Sequence, residues 1–254
     1  PLPLPSALQI ADLDRDGHQD AVVVINTAVE YDAELAFDWL ETDVDAYDDI
    51  ALDNLALLMG SGDGRFTTPI WLPTGRSPTA VMIGDLDLDD DLDLVTINQY
   101  SADASVWLND GAGHFPLAPT YSVAPMPNAI AVADLNDDGH VDMVVGSLET
   151  DDVDLFDNIP ATQRSEIQVL FADGQGDFGT PQTLTVLDTA LSFKLAELTG
   201  DEHIDTLIAN PRDKQLTLWT GDGNGDFLAQ APITIDDFAG SFGSLAFPVI
   251  SVHL

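Results

Sequence analysis

The sequence predicts an all-β fold of β-propeller type, with blades of four antiparallel strands, four repeats and an extra C-terminal strand. The first observation behind this is an acidic motif that recurs four times: ADLDRDGHQDAV at 11–22, GDLDLDDDLDLV at 84–95, ADLNDDGHVDMV at 133–144 and, degraded, AELTGDEHIDTL at 196–207. The second is a Gly-x-Gly-x-Phe element after each motif, ending at Phe66, Phe115, Phe178 and Phe227. The third is their spacing, because the next acidic loop opens 19 residues after each Phe, from Phe66 to Asp85, Phe115 to Asp134 and Phe178 to Glu197. A fixed internal period marks a fold in which each repeat is one supersecondary unit stacked on its neighbours.

Between these landmarks lie short β-branched runs bounded by turn residues, as strands are. Ala129-Ile130-Ala131-Val132, Met143-Val144-Val145 and Ile167-Gln168-Val169-Leu170 are examples. Each repeat reads as four strands. The acidic loop joins the first to the second, and the glycine pair turns the third into the fourth, where positive φ is wanted. Serial four-stranded repeats suggest propeller blades, placed at about 6–76, 77–125, 126–188 and 189–236 of one domain, 1–254. An orphan strand of a fifth repeat occupies 237–254, where the projected loop positions Ala246, Pro248 and Ile250 carry no metal-binding side chain. From loop to Phe the distance varies, with 54 residues between Asp12 and Phe66 and 44 between Asp134 and Phe178, against 30 in the other two repeats. The excess places insertions at about 27–54 and 148–166, between second and third strands and so at the opposite end of the blades from the acidic loops.

A chain of 254 residues can bury a sizeable core. Its 45 acidic residues against 7 basic ones give a formal charge of −38, which repels phosphate backbones and anionic membranes and excludes nucleic acid as a partner. The hydrophobic fraction of 45% is that of a globular protein. No apolar run approaches the roughly 20 residues of a membrane span, so no membrane insertion is expected. Cysteine is absent, which removes disulfides and thiolate metal sites. The first residue is Pro rather than Met, from which a longer, processed precursor is expected.

The acidic loops have the pattern of cation sites. In the first, Asp12, Asp14, Asp16, His18 and Asp20 take positions 1, 3, 5, 7 and 9, with Gly17 at position 6. Alternating carboxylates around a sharp turn form an oxygen cage that suits hard Ca²⁺, with position 7 contributing its backbone carbonyl. The second loop has Asp85, Asp87, Asp89, Asp91 and Asp93, but Asp90 stands where glycine is wanted; the third has Asp134, Asn136, Asp138, His140 and Asp142 around Gly139. The degraded fourth keeps Glu197, Thr199, Asp201, His203 and Asp205, with Glu202 displacing glycine. Carboxylates about 5 Å apart repel by roughly 3 kcal/mol per pair at an effective dielectric near 20, so an uncompensated cage is costly. Three Ca²⁺ sites and a doubtful fourth are expected, with dissociation constants on the order of 10⁻⁴–10⁻³ M.

Asp-x-Asp-x-Asp-Gly-x-x-Asp alternating with Gly-x-Gly-x-Phe resembles the FG-GAP/VCBS repeat family, over nearly the whole chain. The resemblance implies calcium-bearing blades similar to those of integrin α-subunit propellers, a secreted or cell-surface location, and a ligand on the face opposite the calcium loops. The departures are the degraded fourth loop and the count of four blades, since the family commonly closes a larger ring.

Other candidates are weaker. The first insertion, rich in acids and free of basic residues, holds Tyr31, Phe37, Trp39 and Tyr47 and reads as a solvated loop with a lesser claim to partner binding. His18, His140 and His203 belong to different repeats, and their side chains are expected to point outward over a carbonyl ligand. Trp71, Trp107 and Trp219 are expected in the core. No G-x-S-x-G, H-E-x-x-H or cysteine nucleophile is present, so common hydrolase signatures are missing. The expected function is that of a non-enzymatic, calcium-stabilised extracellular module for adhesion, recognition or surface assembly, with a protein or glycan partner. One alternative is a structural subunit that completes its sheet with a neighbouring copy; another is a carbohydrate-active enzyme or lectin.

Overall fold

Short runs of β-branched and aliphatic residues, cut by acidic loops and paired glycines, can bury their apolar faces only by pairing into hairpins and stacking. The computed structural model describes residues 4–26, 54–150, 163–187, 192–210 and 214–234, and among these it contains strands and turns but no helix. The first sheet pairs β1 (Leu4–Ala11), β2 (Asp20–Asn26), β3 (Asn54–Leu58) and β4 (Ile70–Pro73) in sequence order. The second repeats this with β5 (Pro78–Gly84), β6 (Asp93–Asn98), β7 (Asp103–Trp107) and β8 (Leu117–Ser122). The third does so with β9 (Pro127–Ala133), β10 (Asp142–Thr150), β11 (Gln163–Leu170) and β12 (Gln182–Leu187). In the fourth, β13 (Ser192–Ala196), β14 (Asp205–Asn210) and β15 (Gln215–Gly221) carry a broken outer strand, β16 (Phe227–Ala229) at one end of β15 and β17 (Ile233–Thr234) at the other. All pairing is antiparallel, and the four sheets are separate ladders.

Three apolar cores lie between consecutive sheets. Val22, Leu57 and Leu13 of the first sheet meet Val81, Leu94 and Trp107 of the second. Val95 and Val106 of the second meet Met143 and Leu170 of the third. Val144, Val169 and Leu135 of the third meet Phe193 and Ile208 of the fourth. The two inner sheets are covered on both sides. Consequently all six residues of β6 are buried, whereas six of the seven in β15 are only half-buried. Burying each aliphatic side chain contributes about 1.5–3 kcal/mol, so the contacts between sheets hold the repeats in series.

The acidic loops join first to second strands, and the Gly-x-Gly-x-Phe turns join third to fourth. The insertions lie in the second-to-third connections. Of the second insertion, the described part lengthens a hairpin, with β10 and β11 paired out to Thr150 and Gln163. The remainder, most of the first insertion and the proposed orphan strand at 237–254 lie outside the described residues. One expectation is corrected. Trp107 is fully buried and Trp219 packs against the third core, but Trp71 is 55% exposed on the outer strand β4, where the matching Thr120 and Thr183 of the next two sheets are exposed too.

Candidate metal centres

Each loop coils because two of its residues are left-handed. Position 4 has φ of 58° at Arg15, 62° at Leu88, 56° at Asp137 and 82° at Gly200; position 6 has 88° at Gly17, 69° at Asp90, 86° at Gly139 and 73° at Glu202. The need at position 6 was readable from its glycines. The need at position 4 was hidden, because Arg15, Leu88 and Asp137 do not advertise it. The coil lets odd-numbered side chains accept backbone N–H groups within the loop. Asp12 Oδ2 accepts from Gly17 N at 2.9 Å, Asp14 Oδ1 from Asp16 N at 3.1 Å and Asp16 Oδ1 from His18 N at 2.7 Å. The third loop repeats this with Asp134, Asn136 and Asp138 accepting from Gly139, Asp138 and His140 at 2.8, 3.1 and 2.8 Å. In the second, Asp85 accepts from Asp89 and Asp90, and Asp89 from Asp91.

Position 9 does different work. Asp20, Asp93, Asp142 and Asp205 are completely buried. One oxygen of each accepts the position-2 N–H, from Leu13, Leu86, Leu135 and Leu198 at 2.7–3.0 Å. The other accepts an N–H at the start of the Gly-x-Gly-x-Phe turn, from Gly60, Asn109, Ala172 and Gly221 at 2.7–3.1 Å. This carboxylate therefore clamps the acidic loop to the third strand of its own sheet, whatever else it binds.

Donor geometry in the first two loops fits a cation, and the third shares with them a buried oxygen that lacks a partner. Ligand oxygens of Asp12, Asp14 and Asp20 lie within 4.8 Å of one another, as do those of Asp85, Asp87 and Asp89. Asp12 Oδ1, Asp87 Oδ1 and Asp134 Oδ1 are buried without a hydrogen-bond partner. A buried acceptor left in that state costs about 1–3 kcal/mol, more when charged. Burial, reinforced by neighbouring carboxylates, raises Asp14 and Asp87 above the usual carboxylate range. Burial also raises Asp142, and pushes Asp93 up to about 6 despite its two N–H donors. All-oxygen donors of this kind suit a hard divalent cation.

The fourth loop satisfies itself. Glu197 Oε1 accepts from the backbone N–H of Gly200, and Asp201 accepts from His203 N and the Thr199 hydroxyl, which hold it below the usual range. No oxygen of Glu197, Asp201 or Asp205 is both buried and unpartnered. The loop keeps its clamp at Asp205 but has no cage awaiting charge.

Position 7 meets its expectation in part. The rings of His18, His140 and His203 lie across the first turn glycine of their own repeat, Gly62, Gly174 and Gly223, with His18 exposed and the other two half-buried, and Asp91 lies against Gly111 in the same way. Two of these side chains also reach the preceding repeat. Arg15 Nε approaches Asp91 Oδ1 at 2.7 Å, an ion pair out of hydrogen-bonding alignment, and His203 Nδ1 lies 2.6 Å from Asp137 Oδ2. The Asp91 carboxylate is thus turned towards Arg15 rather than into the second cage. At two of the three joints, position 4 of one loop meets position 7 of the next. Sequence reasoning also missed Asn109, 4% exposed, whose Nδ2 donates to Leu13 O of the first loop at 2.7 Å and to Leu92 O at 3.1 Å. It occurs in one repeat alone and left no periodic signal.

Among curated proteins none matches this sequence. Among solved structures the chain is similar to the crystal structure of BBS1N in complex with ARL6DN, soaked with lead, with a TM-score of 0.53 and 12% identity over 93% of this chain. It spans 58% of that chain, and at this identity the likeness concerns the fold alone. Residues 89–145, from the middle of the second acidic loop into β10, match the sequence model of the FG-GAP-like repeat.

Proposed function

We propose that this chain is a β-propeller module whose first three acidic loops bind calcium, and that it works outside the cell by presenting loops for adhesion or recognition, without catalysis. The observation that carries the reading is the set of buried, unpartnered oxygens, Asp12 Oδ1, Asp87 Oδ1 and Asp134 Oδ1, each at position 1 or 3 of a loop. When bound, the ion supplies the positive charge that these atoms lack, and the surrounding N–H groups hold the remaining oxygens in place. Serial stacking of four-stranded sheets, the FG-GAP-like repeat and the propeller-like neighbour support the blade arrangement. Weak, oxygen-only sites suit millimolar calcium outside cells. The second-to-third connections, at the end away from the acidic loops, are the natural place for a protein or glycan partner; Tyr100, 56% exposed, stands in one of them.

Chelation tests the metal claim. Calcium at about 100 times its dissociation constant stabilises by about 2.7 kcal/mol per site, and each kcal/mol is worth about 2–4 °C in a domain of this size. Chelator should lower the melting temperature, added calcium should restore it, and Asp14→Ala with Asn136→Ala should shrink the response. An unchanged melt on chelation refutes structural calcium. Release of products from acidic or neutral polysaccharides would overturn the non-catalytic part.

A further inference from the structure

The joints between successive sheets differ in what crosses them beside the acidic loops. At the start of the Gly-x-Gly-x-Phe turns stand Gly60, Asn109, Ala172 and Gly221, and each gives its backbone N–H to the position-9 carboxylate. Of the four, Asn109 alone has a side chain that can donate. Its Nδ2 gives one hydrogen bond to Leu13 O of the first loop at 2.7 Å and another to Leu92 O of the second at 3.1 Å, while its Oδ1 accepts from Gly111 N at 3.1 Å. Asn109, Leu13 and Leu86 are buried, so water does not readily replace partners lost there.

A continuous path of hydrogen-bonded groups therefore runs from one cage to the next. Leu13 stands between Asp12 and Asp14, and its N–H is held by Asp20, which belongs both to the clamp and to the first cage. The Leu13 carbonyl meets Asn109, whose backbone N–H is held by Asp93 Oδ1 at 2.8 Å. Asp93 Oδ2 takes the N–H of Leu86 at 2.7 Å, and Leu86 stands between Asp85 and Asp87 of the second cage. The following joint is built otherwise. Ala172 has no donor to send towards the second loop, and position 4 of that loop is the uncharged Leu88, where Arg15 meets Asp91 across the first joint.

We propose that Asn109 couples the first two cation sites, so that an ion in either loop raises the affinity of the other, while the third loop binds on its own. The coupling rests on both loops binding calcium. Asn109 keeps all its partners only while both loops are coiled. Crowded carboxylates without an ion push each coil open. An ion that closes one loop fixes the carbonyl that Asn109 must meet, and the other loop then closes with less ordering left to do. The gain is about three- to tenfold in affinity, what a single buried hydrogen bond supplies, and by linkage it is the same in both directions. Charge acts the other way, since an ion in one loop repels an ion in the next. The sign of the effect thus separates the bridge from the field.

Calcium titration followed by NMR in about 1 M salt, where the screening length is about 3 Å, tests it. The amides of Gly17, Asp90 and Gly139 each donate to the position-1 carboxylate of their own loop, so their resonances report the three sites separately. Asp14→Ala disables the first site and should weaken the second, read at Asp90, by about three- to tenfold. Asp87→Ala should weaken the first by the same factor, and neither change should move the midpoint at Gly139. Combined with Asn109→Ala, Asp14→Ala should no longer weaken the second site. Alanine is what the third repeat carries at this place, and a dispersed amide spectrum checks that the variant folds. The charge lost at Asp14 is the same with and without Asn109→Ala, so the difference belongs to the bridge. If Gly17 or Asp90 fails to respond to added calcium, the metal reading of that loop falls and the coupling with it. If both respond, but Asp14→Ala leaves the second site unchanged or tighter, or weakens it equally when combined with Asn109→Ala, the metal reading stands and the coupling alone is overturned.

Discussion

The first and fourth acidic loops occupy the same place in their sheets and share the same clamp, yet only the first is arranged around a missing charge. In the first, Asp12 Oδ1 is buried without a partner, and burial together with the neighbouring acids raises Asp14. In the fourth, a threonine hydroxyl and two backbone N–H groups take the oxygens, and Asp201 is held low. The difference separates two jobs that one motif combines. Positions 1, 3 and 5 prepare a cation cage, which position 9 also reaches in the first loop; position 9 ties loop to strand in all four. A loop can lose the first job and keep the second, which explains why Asp205 persists among substituted neighbours.

The largest effect should come from breaking the clamp. Asp20→Ala leaves the N–H groups of Leu13 and Gly60 without acceptors, and Asp205→Ala does the same to Leu198 and Gly221. Each orphaned buried group costs about 1–3 kcal/mol, so Asp20→Ala should lower stability by about 2–5 kcal/mol in urea unfolding, and Asp205→Ala by less, because water reaches the half-exposed Leu198. The Asp205 penalty should be the same with calcium or with chelator. If calcium changed it, position 9 of the fourth loop would be a ligand and the separation of roles would fail.

A smaller, selective effect is expected from the cage. Asp12→Asn keeps the hydrogen bond from Gly17 but removes a charge, and should reduce the calcium-induced rise in melting temperature by roughly one site's share, about 2.7 kcal/mol at saturating calcium. Glu197→Gln should leave that rise unchanged. A calcium response that Glu197→Gln weakens as much as Asp12→Asn would put a fourth ion in the degraded loop.

Much of this was legible in the sequence, for a physical reason. The step of 19 residues from Phe to loop is constant because it spans only an outer strand and the next inner one, where any insertion would shift a buried face. Insertions concentrate in second-to-third connections, away from the joints between sheets. What stayed hidden depends on how one repeat is offset from the next. The pairs Arg15 with Asp91 and Asp137 with His203 join positions 4 and 7 of successive loops, and no pattern within one loop shows them. Asn109 bridges two loops from a third-strand end that holds Gly60, Ala172 and Gly221 elsewhere. Trp71 sits in a strand-like run like Trp107, but on an outer strand, at a place where Thr120 and Thr183 of the next two sheets are exposed as well.

The smallest effect concerns position 6, where the second and fourth loops both depart from glycine. Asp90 has φ 69° and Glu202 φ 73°, and both side chains are exposed. The left-handed conformation costs an L-residue roughly 1–2 kcal/mol, less for aspartate, whose short side chain bonds locally, than for glutamate. Glycine removes this strain but gives back part of the gain through a freer unfolded chain. Glu202→Gly should therefore stabilise by about 0.5–1 kcal/mol, and Asp90→Gly by less. Nothing crowds the glycines at the same position in the first and third loops, since a Cβ at Gly17 or Gly139 would meet no atom within 4 Å, so packing does not confuse the comparison. The gain from Glu202→Gly should appear equally in chelator and in calcium. If it appears only in calcium, relief of the backbone has rebuilt a cation cage around Glu197, Thr199 and Asp201, and the fourth loop is then disabled by its turn rather than by its ligands.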